Sequence, residues 1–291
     1  MKPDEVVIIG AGPAGMTAAI QLKRYGIPFV LLEKERAGGL LWNANLVENY
    51  PGFPAGVSGP KLVGLIETQM KRIGVRVIFD EILRVTTKSN KKTFLITSKT
   101  KKYTTSHLVI ATGTQPRPVP VPISVEAQTR VFSDIYPLLD VREKRVAIVG
   151  GGDAAFDYAL NLVKRRNFVT ILNRGAEVKC LGLLWGRAMA EPSIAYRAET
   201  SVRKVELDKT VGRLQVQLDA GEPLEADYLL FAIGRVPQID FLSDELVNQN
   251  VEGLYFVGDV KNGLYRQAAI AAGNGLQAAM QIYHSLKEGF I

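Results

Sequence analysis

Two stretches of this chain match each other 140 residues apart, and that repeat constrains the fold more than any other feature. The first, VVIIGAGPAGMTAAIQLKRYGIPFVLLEKE, starts at Val6; the second, VAIVGGGDAAFDYALNLVKRRNFVTILNRG, starts at Val146. Each opens with a four-residue apolar run, the pattern of a parallel strand buried on both faces. A glycine-rich turn, an amphipathic helical stretch and a second apolar run follow, the last ending at Glu33 or Asn173. Strand, turn, helix, strand therefore occurs twice. Gly10 suits the tight turn, Gly12 a close approach to a pyrophosphate, and Gly15 close helix–strand packing. Gly150, Gly152 and Ala155 fill those places in the second copy. The helix after each turn points its N-terminal amides and positive dipole end at phosphates.

Glu33 lies 23 residues after Gly10, a spacing that suits a carboxylate hydrogen-bonded to a ribose hydroxyl. The second copy has Asn173 where such an acid would stand. A further echo pairs Leu108–Gly113 with Leu229–Gly234, each an apolar strand ending in a small-residue turn. Weaker strand patterning lies between, at Arg76–Phe79, Thr93–Thr97, Ser201–Glu206 and Leu214–Leu218. Gln115–Pro122 carries four prolines and reads as an extended, stiff linker; Gly234–Leu246 reads as the second crossing.

Composition removes other classes. The single cysteine, Cys180, allows no internal disulfide, no CxxC pair and no cysteine zinc site, and two histidines cannot build a histidine cage. No metal site is expected. The 36 basic and 29 acidic residues leave a formal charge of +7, too diffuse to imply nucleic acid. The apolar, uncharged stretch Val6–Leu22 has 17 residues interrupted by glycine and proline, short of the ~20 that span a bilayer. No membrane span is expected, and the default localisation is cytoplasmic.

Several motifs in register resemble the low-molecular-weight thioredoxin reductases and their flavoprotein relatives. They are GAGPAG, Gly38-Gly39-Leu40-Leu41, Val47-Glu48-Asn49-Tyr50-Pro51-Gly52, the ATG turn, GGGDAA, Tyr255-Phe256-Val257-Gly258-Asp259-Val260 and Tyr265-Arg266-Gln267-Ala268. The resemblance covers essentially the whole chain. It implies an α/β fold of two Rossmann-like, three-layer ββα dinucleotide-binding domains, with the NAD(P) domain inserted in the FAD domain. Residues 1–116 and 241–291 would form the FAD domain and 117–240 the NAD(P) domain.

The resemblance also implies site residues. Those for FAD would be Gly10, Gly12, Pro13, Ala14, Gly15, Glu33, Lys34, Gly39, Leu40, Asn49, Ile82, Ala111, Thr112, Gly113, Gly258, Asp259, Arg266, Gln267 and Ala268. Asp259 would accept ribityl hydroxyls. Arg266, Gln267 and Ala268 would open the last helix toward the flavin's carbonyl edge, where a helix N-terminus stabilises negative charge on reduced flavin. Those for NADPH or NADH would be Gly150, Gly151, Gly152, Asp153, Ala154, Asn173, Arg174, Lys179, Ile233 and Gly234. Tyr50 and Trp42 read equally as packing or as flavin contacts, and Trp185 as core or domain-facing.

Three departures from the family stand out. Where the relatives carry CxxC, this chain reads Val131-Phe132-Ser133-Asp134-Ile135-Tyr136-Pro137, so the dithiol route is expected to be unavailable and no side chain is assigned a catalytic role. The family's HRRxxxR motif for the 2′-phosphate becomes Asn173-Arg174-Gly175-Ala176-Glu177-Val178-Lys179, from which a modest NADPH preference or dual use is expected. Only 23 residues separate Gly234 from Gly258, fewer than in the relatives, which would alter the dimer surface or expose flavin. The expected activity is a flavoprotein oxidoreductase, a homodimer passing electrons from NAD(P)H through FAD to an external acceptor such as a small redox protein. A ferredoxin or flavodoxin reductase is the alternative within enzymes, and a non-catalytic flavin-binding sensor or scaffold the alternative outside them.

Overall fold

A computed structural model describes residues 6–88, 93–248 and 250–288. Residues 1–5 and 289–291 of the expected outer segments lie outside the described residues. The chain divides into two compact units: Met1–Trp42, Val47–Gln115 and Val236–Ile291 form the first, and Asn43–Leu46 with Pro116–Arg235 form the second.

The first unit starts with β1 (Val6–Ile9), α1 (Pro13–Arg24) and β2 (Phe29–Glu33), then α2 (Gly59–Arg72), β3 (Val77–Phe79), β4 (Ile82–Thr87), β5 (Phe94–Ser98), β6 (Lys102–Thr105), β7 (Leu108–Ile110) and β8 (Thr114–Pro116). Proline at the start of α1 fits a position whose N–H has no intrahelical partner, and Lys23 and Arg24 sit at the negative end of the helix dipole.

The chain then builds the second unit: β9 (Val131–Phe132), β10 (Arg145–Val149), α3 (Asp153–Val163), β11 (Phe168–Leu172), α4 (Gly182–Met189), β12 (Ile194–Arg197), β13 (Val202–Asp208), β14 (Arg213–Leu218), β15 (Leu224–Ala226) and β16 (Tyr228–Phe231). It returns through β17 (Arg235–Pro237), α5 (Asp244–Asn248), β18 (Leu254–Phe256) and α6 (Ala268–Glu288). Among the described residues, the segment between Gly234 and Gly258 holds β17, α5 and β18.

The two units repeat one plan. In the first, five strands lie in the order β18-β7-β1-β2-β3 and β4-β5-β6 form a three-stranded sheet; in the second, the orders are β12-β11-β10-β16-β9 and β13-β14-β15. The large sheets are parallel and the small ones antiparallel. Every residue of β1 is buried, because its two faces serve different cores. Val6 and Ile8 pack with Met16, Leu22, Ala279 and Ile282 on the helical side. Val7 and Ile9 pack with Phe94, Ile96 and Tyr103 on the antiparallel side. In the second unit Val146 and Ile148 meet Phe156 and Leu162, while Ala147 meets Val205, Leu214 and Val216. Trp185 belongs to the helical-side core, edge-on to Tyr196 at 5.0 Å and to Phe156 at 5.7 Å.

Each unit is therefore three layers, antiparallel sheet on parallel sheet on helices, the α/β architecture of a Rossmann-like dinucleotide fold. Among the described residues, no helix is long and apolar enough to cross a membrane.

Candidate functional site

In the first unit the chain turns at the C-terminal end of β1, and the three glycines there stand in three different settings. Gly10 has φ +101°, and a Cβ on it would run into the Ala111 carbonyl. A Cβ on Gly15 would occupy the space of the Gly10 carbonyl. Gly12 is different: its backbone is extended, at φ −74° and ψ −176°, and a Cβ there would meet nothing within 4 Å. The fold demands the outer two, while the middle one borders open space at the N-terminus of α1.

Neighbouring groups converge on this turn. Glu33, last residue of β2, accepts the Ala11 N–H on Oε2 at 2.8 Å and the Glu35 N–H on Oε1 at 3.2 Å. A carboxylate has about four lone-pair sites, so both oxygens keep capacity for ribose hydroxyls. Gly38 donates to the Ala11 carbonyl at 2.8 Å, and a Cβ on Gly39 would lie 3.3 Å from the Gly12 Cα. Leu40 continues that 3₁₀ turn. Pro13 and Ala14 lie in the first turn of α1, and α6 presses on it where a Cβ on Gly275 would collide with the Ala14 carbonyl. Gly258, at φ +75°, comes close enough that its Cβ would stand 2.9 Å from the Ala14 Cβ.

The remaining first-unit candidates surround this core. Ala111, Thr112 and Gly113 follow β7, and Thr112 Oγ1 donates to the Gln238 carbonyl at 2.7 Å. Asn49 Nδ2 donates to Gln267 Oε1 at 2.9 Å, one residue before α6 begins at Ala268. Arg266 precedes that pair, and Asp259 lies in the 3₁₀ turn Gly258–Val260. Lys34 is exposed just beyond Glu33. Ile82 opens β4, two residues after Asp80, whose N–H donates to the Glu33 carbonyl at 2.8 Å. Tyr50 lies 6.1 Å from the Phe53 ring, and Trp42 donates to the Ala37 carbonyl at 2.7 Å.

The second unit repeats the turn. Gly150 has φ +151° and its Cβ would run into the Ala232 carbonyl, immediately before Ile233 and Gly234. Gly152 has φ −105° and ψ 179°, with nothing within 4 Å of a Cβ. Asp153 and Ala154 begin α3. The open middle glycine at a helix N-terminus is thus present in both copies.

Two features of this second turn were not legible in the sequence. Asn173 is buried, and its amide is already committed: Nδ2 donates to the Glu177 carbonyl and to Tyr196 Oη, both at 2.9 Å, and Oδ1 accepts the Gly175 N–H at 3.3 Å. It also fills the space a Cβ on Gly151 would take, at 2.6 Å. Asn173 therefore shapes the loop from beneath. In addition, the loop is pinned to the turn, because Lys179 N–H donates to the Gly151 carbonyl at 2.9 Å and Leu181 N–H to Asp153 Oδ1 at 2.8 Å. Arg174 and Lys179 are left exposed on it. The only signal in the sequence was a polar residue at the end of an apolar run.

Cys180 is half-buried on the same loop. Burial, and then the charge of Asp153, push its thiol above the ordinary range, so less of it is thiolate at neutral pH. We expect its alkylation by iodoacetamide at pH 7 to be slower than that of free cysteine, which a mass-spectrometric time course would check.

The chain is similar to known proteins. The profile of the family described as pyridine nucleotide-disulphide oxidoreductase matches residues 4–275. The thioredoxin reductase of Streptomyces coelicolor is 31% identical over 295 residues, covering 94% of this chain and 91% of its own length. That of Chlamydia trachomatis is 30% identical over 308 residues, covering 96% of this chain and 97% of its own. The crystal structure of Lactococcus lactis thioredoxin reductase superposes with a TM-score of 0.86 at 27% identity, covering 98% of this chain and 99% of that one.

Proposed function

Because the chain belongs to the pyridine nucleotide-disulphide oxidoreductase family, we propose that it is a flavoprotein oxidoreductase that passes electrons from NADPH or NADH to an external acceptor without a dithiol of its own. The thioredoxin reductases it resembles use FAD and NADPH. In this reading the first unit is the FAD domain and the second the nicotinamide-nucleotide domain. The observation that carries it is the doubled turn: in each unit an outer glycine is locked by the fold, while the middle one opens to space.

The residues of the first unit fit FAD. The amides at the start of α1 would face the pyrophosphate over the open Gly12. Glu33 would accept adenosine ribose hydroxyls, and Asp259 ribityl hydroxyls. The start of α6, with Gln267 held by Asn49, would offer its positive dipole end to negative charge on the ring. In the second unit the start of α3 would face the pyrophosphate of the nicotinamide nucleotide, with Arg174 and Lys179 reading its 2′-phosphate. FAD, when bound there, would supply the redox chemistry between the nucleotide's hydride and the external acceptor. The protein binds, orients and tunes.

The dithiol-free route rests on the sequence, since one thiol cannot cycle through an intramolecular disulfide. We read the acceptor as a small redox protein and the assembly as a homodimer. Stopped-flow reduction of the flavin by NADPH and NADH, followed by a screen of thioredoxins, ferredoxins and flavodoxins, tests the reading. Fast bleaching and turnover support it, and a flavin that stays oxidised with both nucleotides overturns it. Cys180→Ser should keep both flavin reduction and acceptor turnover. Turnover lost with reduction kept would instead show a mixed disulfide with the partner.

Arg174→Ala should slow reduction by NADPH and spare NADH. A charge-assisted contact is worth roughly 1.5–3 kcal/mol, or about ten- to a hundredfold. Equal losses with both nucleotides, or none with either, would show that Arg174 does not read the 2′-phosphate.

A further inference from the structure

We infer that Arg197 is a specificity residue of the nucleotide site, supplying a cationic contact to the 2′-phosphate that the loop sequence alone lacks. The inference deepens the reading of the second unit as the nicotinamide-nucleotide domain and rests on it. Gly175 leaves the loop with two cations, Arg174 and Lys179. Arg197 comes from another element, the last residue of β12, 23 residues beyond Arg174 in the chain.

Strand pairing brings it back. β11 and β12 run parallel with Leu172 opposite Arg197. The Asn173 N–H donates to the Arg197 carbonyl at 2.9 Å, the Thr200 N–H to the Asn173 carbonyl at 2.9 Å, and the Glu199 N–H to the Gly175 carbonyl at 3.2 Å. The chain after β12 is thus laced to the loop that carries Arg174. Side chains alternate across a strand. Ile171 and Tyr196 pack into the helical-side core, so Leu172 and Arg197 belong to the other face, and Arg174 lies just beyond the end of β11 at Leu172.

This edge is where a dinucleotide fold reads its ribose: an acid there favours a free 2′-hydroxyl, and an arginine nearby a 2′-phosphate. Asn173 occupies the acid's place and spends its amide on Glu177, Tyr196 and Gly175. Arg174, Lys179 and Arg197 are all exposed. Glu177 and Glu199 are exposed on the same stretch, but among the described residues no ion pair joins either to these cations. A planar guanidinium can grip phosphate with two parallel hydrogen bonds, which a lysine cannot.

The test uses the FAD-loaded protein and two probes, 2′,5′-ADP and 5′-AMP, followed by titration calorimetry, with NADPH and NADH reduction rates alongside. Arg197→Ala should lower affinity for 2′,5′-ADP roughly ten- to a hundredfold and leave 5′-AMP unchanged. The backbone carbonyl that pairs with Asn173 survives the substitution, so the loop should hold. Arg197→Lys should restore part of the loss, and Arg197→Ala combined with Arg174→Ala should fall further for 2′,5′-ADP only. An unchanged 2′,5′-ADP affinity, or equal losses for both probes, overturns the assignment of Arg197. A wild-type protein that binds 5′-AMP as tightly as 2′,5′-ADP overturns it while leaving the nucleotide domain standing. A wild-type protein that binds neither probe and is reduced by neither nucleotide overturns the parent reading as well.

Discussion

Replacing Gly12 with valine should strip FAD from the protein while leaving the first unit folded. At φ −74° and ψ −176° the Gly12 backbone suits any L residue, and a Cβ there meets no protein atom within 4 Å. The protein itself tolerates the side chain. A pyrophosphate lying over the turn does not, and an overpacking cost of about 3 kcal/mol corresponds to roughly a hundredfold in affinity.

Gly15→Val is the control with the opposite outcome. Its Cβ would coincide with the Gly10 carbonyl, so helix α1 must move off the sheet. The first unit should lose about 3 kcal/mol, the upper end of the overpacking range. Flavin absorbance after gel filtration, together with circular dichroism melting, separates the two. Full FAD occupancy in Gly12→Val at an unchanged Tm would remove the FAD assignment.

The counterpart in the second unit is Gly152→Val, which should retain yellow, FAD-loaded protein that neither NADPH nor NADH can bleach. Gly152 is also extended, with no protein atom within 4 Å of a Cβ, and the pyrophosphate belongs to both nucleotides. Reduction rates at subsaturating nucleotide should therefore fall together by roughly a hundredfold or more, on the same overpacking estimate. That common loss distinguishes it from Arg174→Ala, which should touch NADPH alone. Normal bleaching by either nucleotide would show that this turn does not hold the pyrophosphate.

The doubled strand–turn–helix–strand was legible because its signal is local. Four consecutive apolar residues at Val6 and again at Val146 announce strands covered on both faces, and the cores on each side of β1 and β10 are that coverage. The glycine turns were legible for the same reason, since a positive φ at Gly10 or Gly150 and the contacts of Gly15 involve the adjoining strand and helix. The antiparallel strands were only faintly marked. β4 has two exposed residues, Leu83 and Arg84, beside one fully buried residue, Val85, so its alternation is irregular and its pairing with β5 shifts register after Ile82.

By itself, the sequence determined the fold class, the two glycine turns, the spacing of Glu33 from Gly10 and the single cysteine, because each is written within some thirty consecutive residues or in a simple count. It did not determine what surrounds the second turn. That Asn173 spends its amide on Tyr196 and Glu177, that Asp153 holds Leu181, and that Arg197 returns beside the Arg174 loop were decided by the tertiary structure. The physical reason is that β11 and β12 become neighbours through a parallel pairing that runs from Val169 opposite Ile194 to Leu172 opposite Arg197, across a connection that contains α4. Side-chain alternation tells which face a residue takes on its own strand, but the partner strand and its register are set by packing against a core assembled from distant parts of the chain.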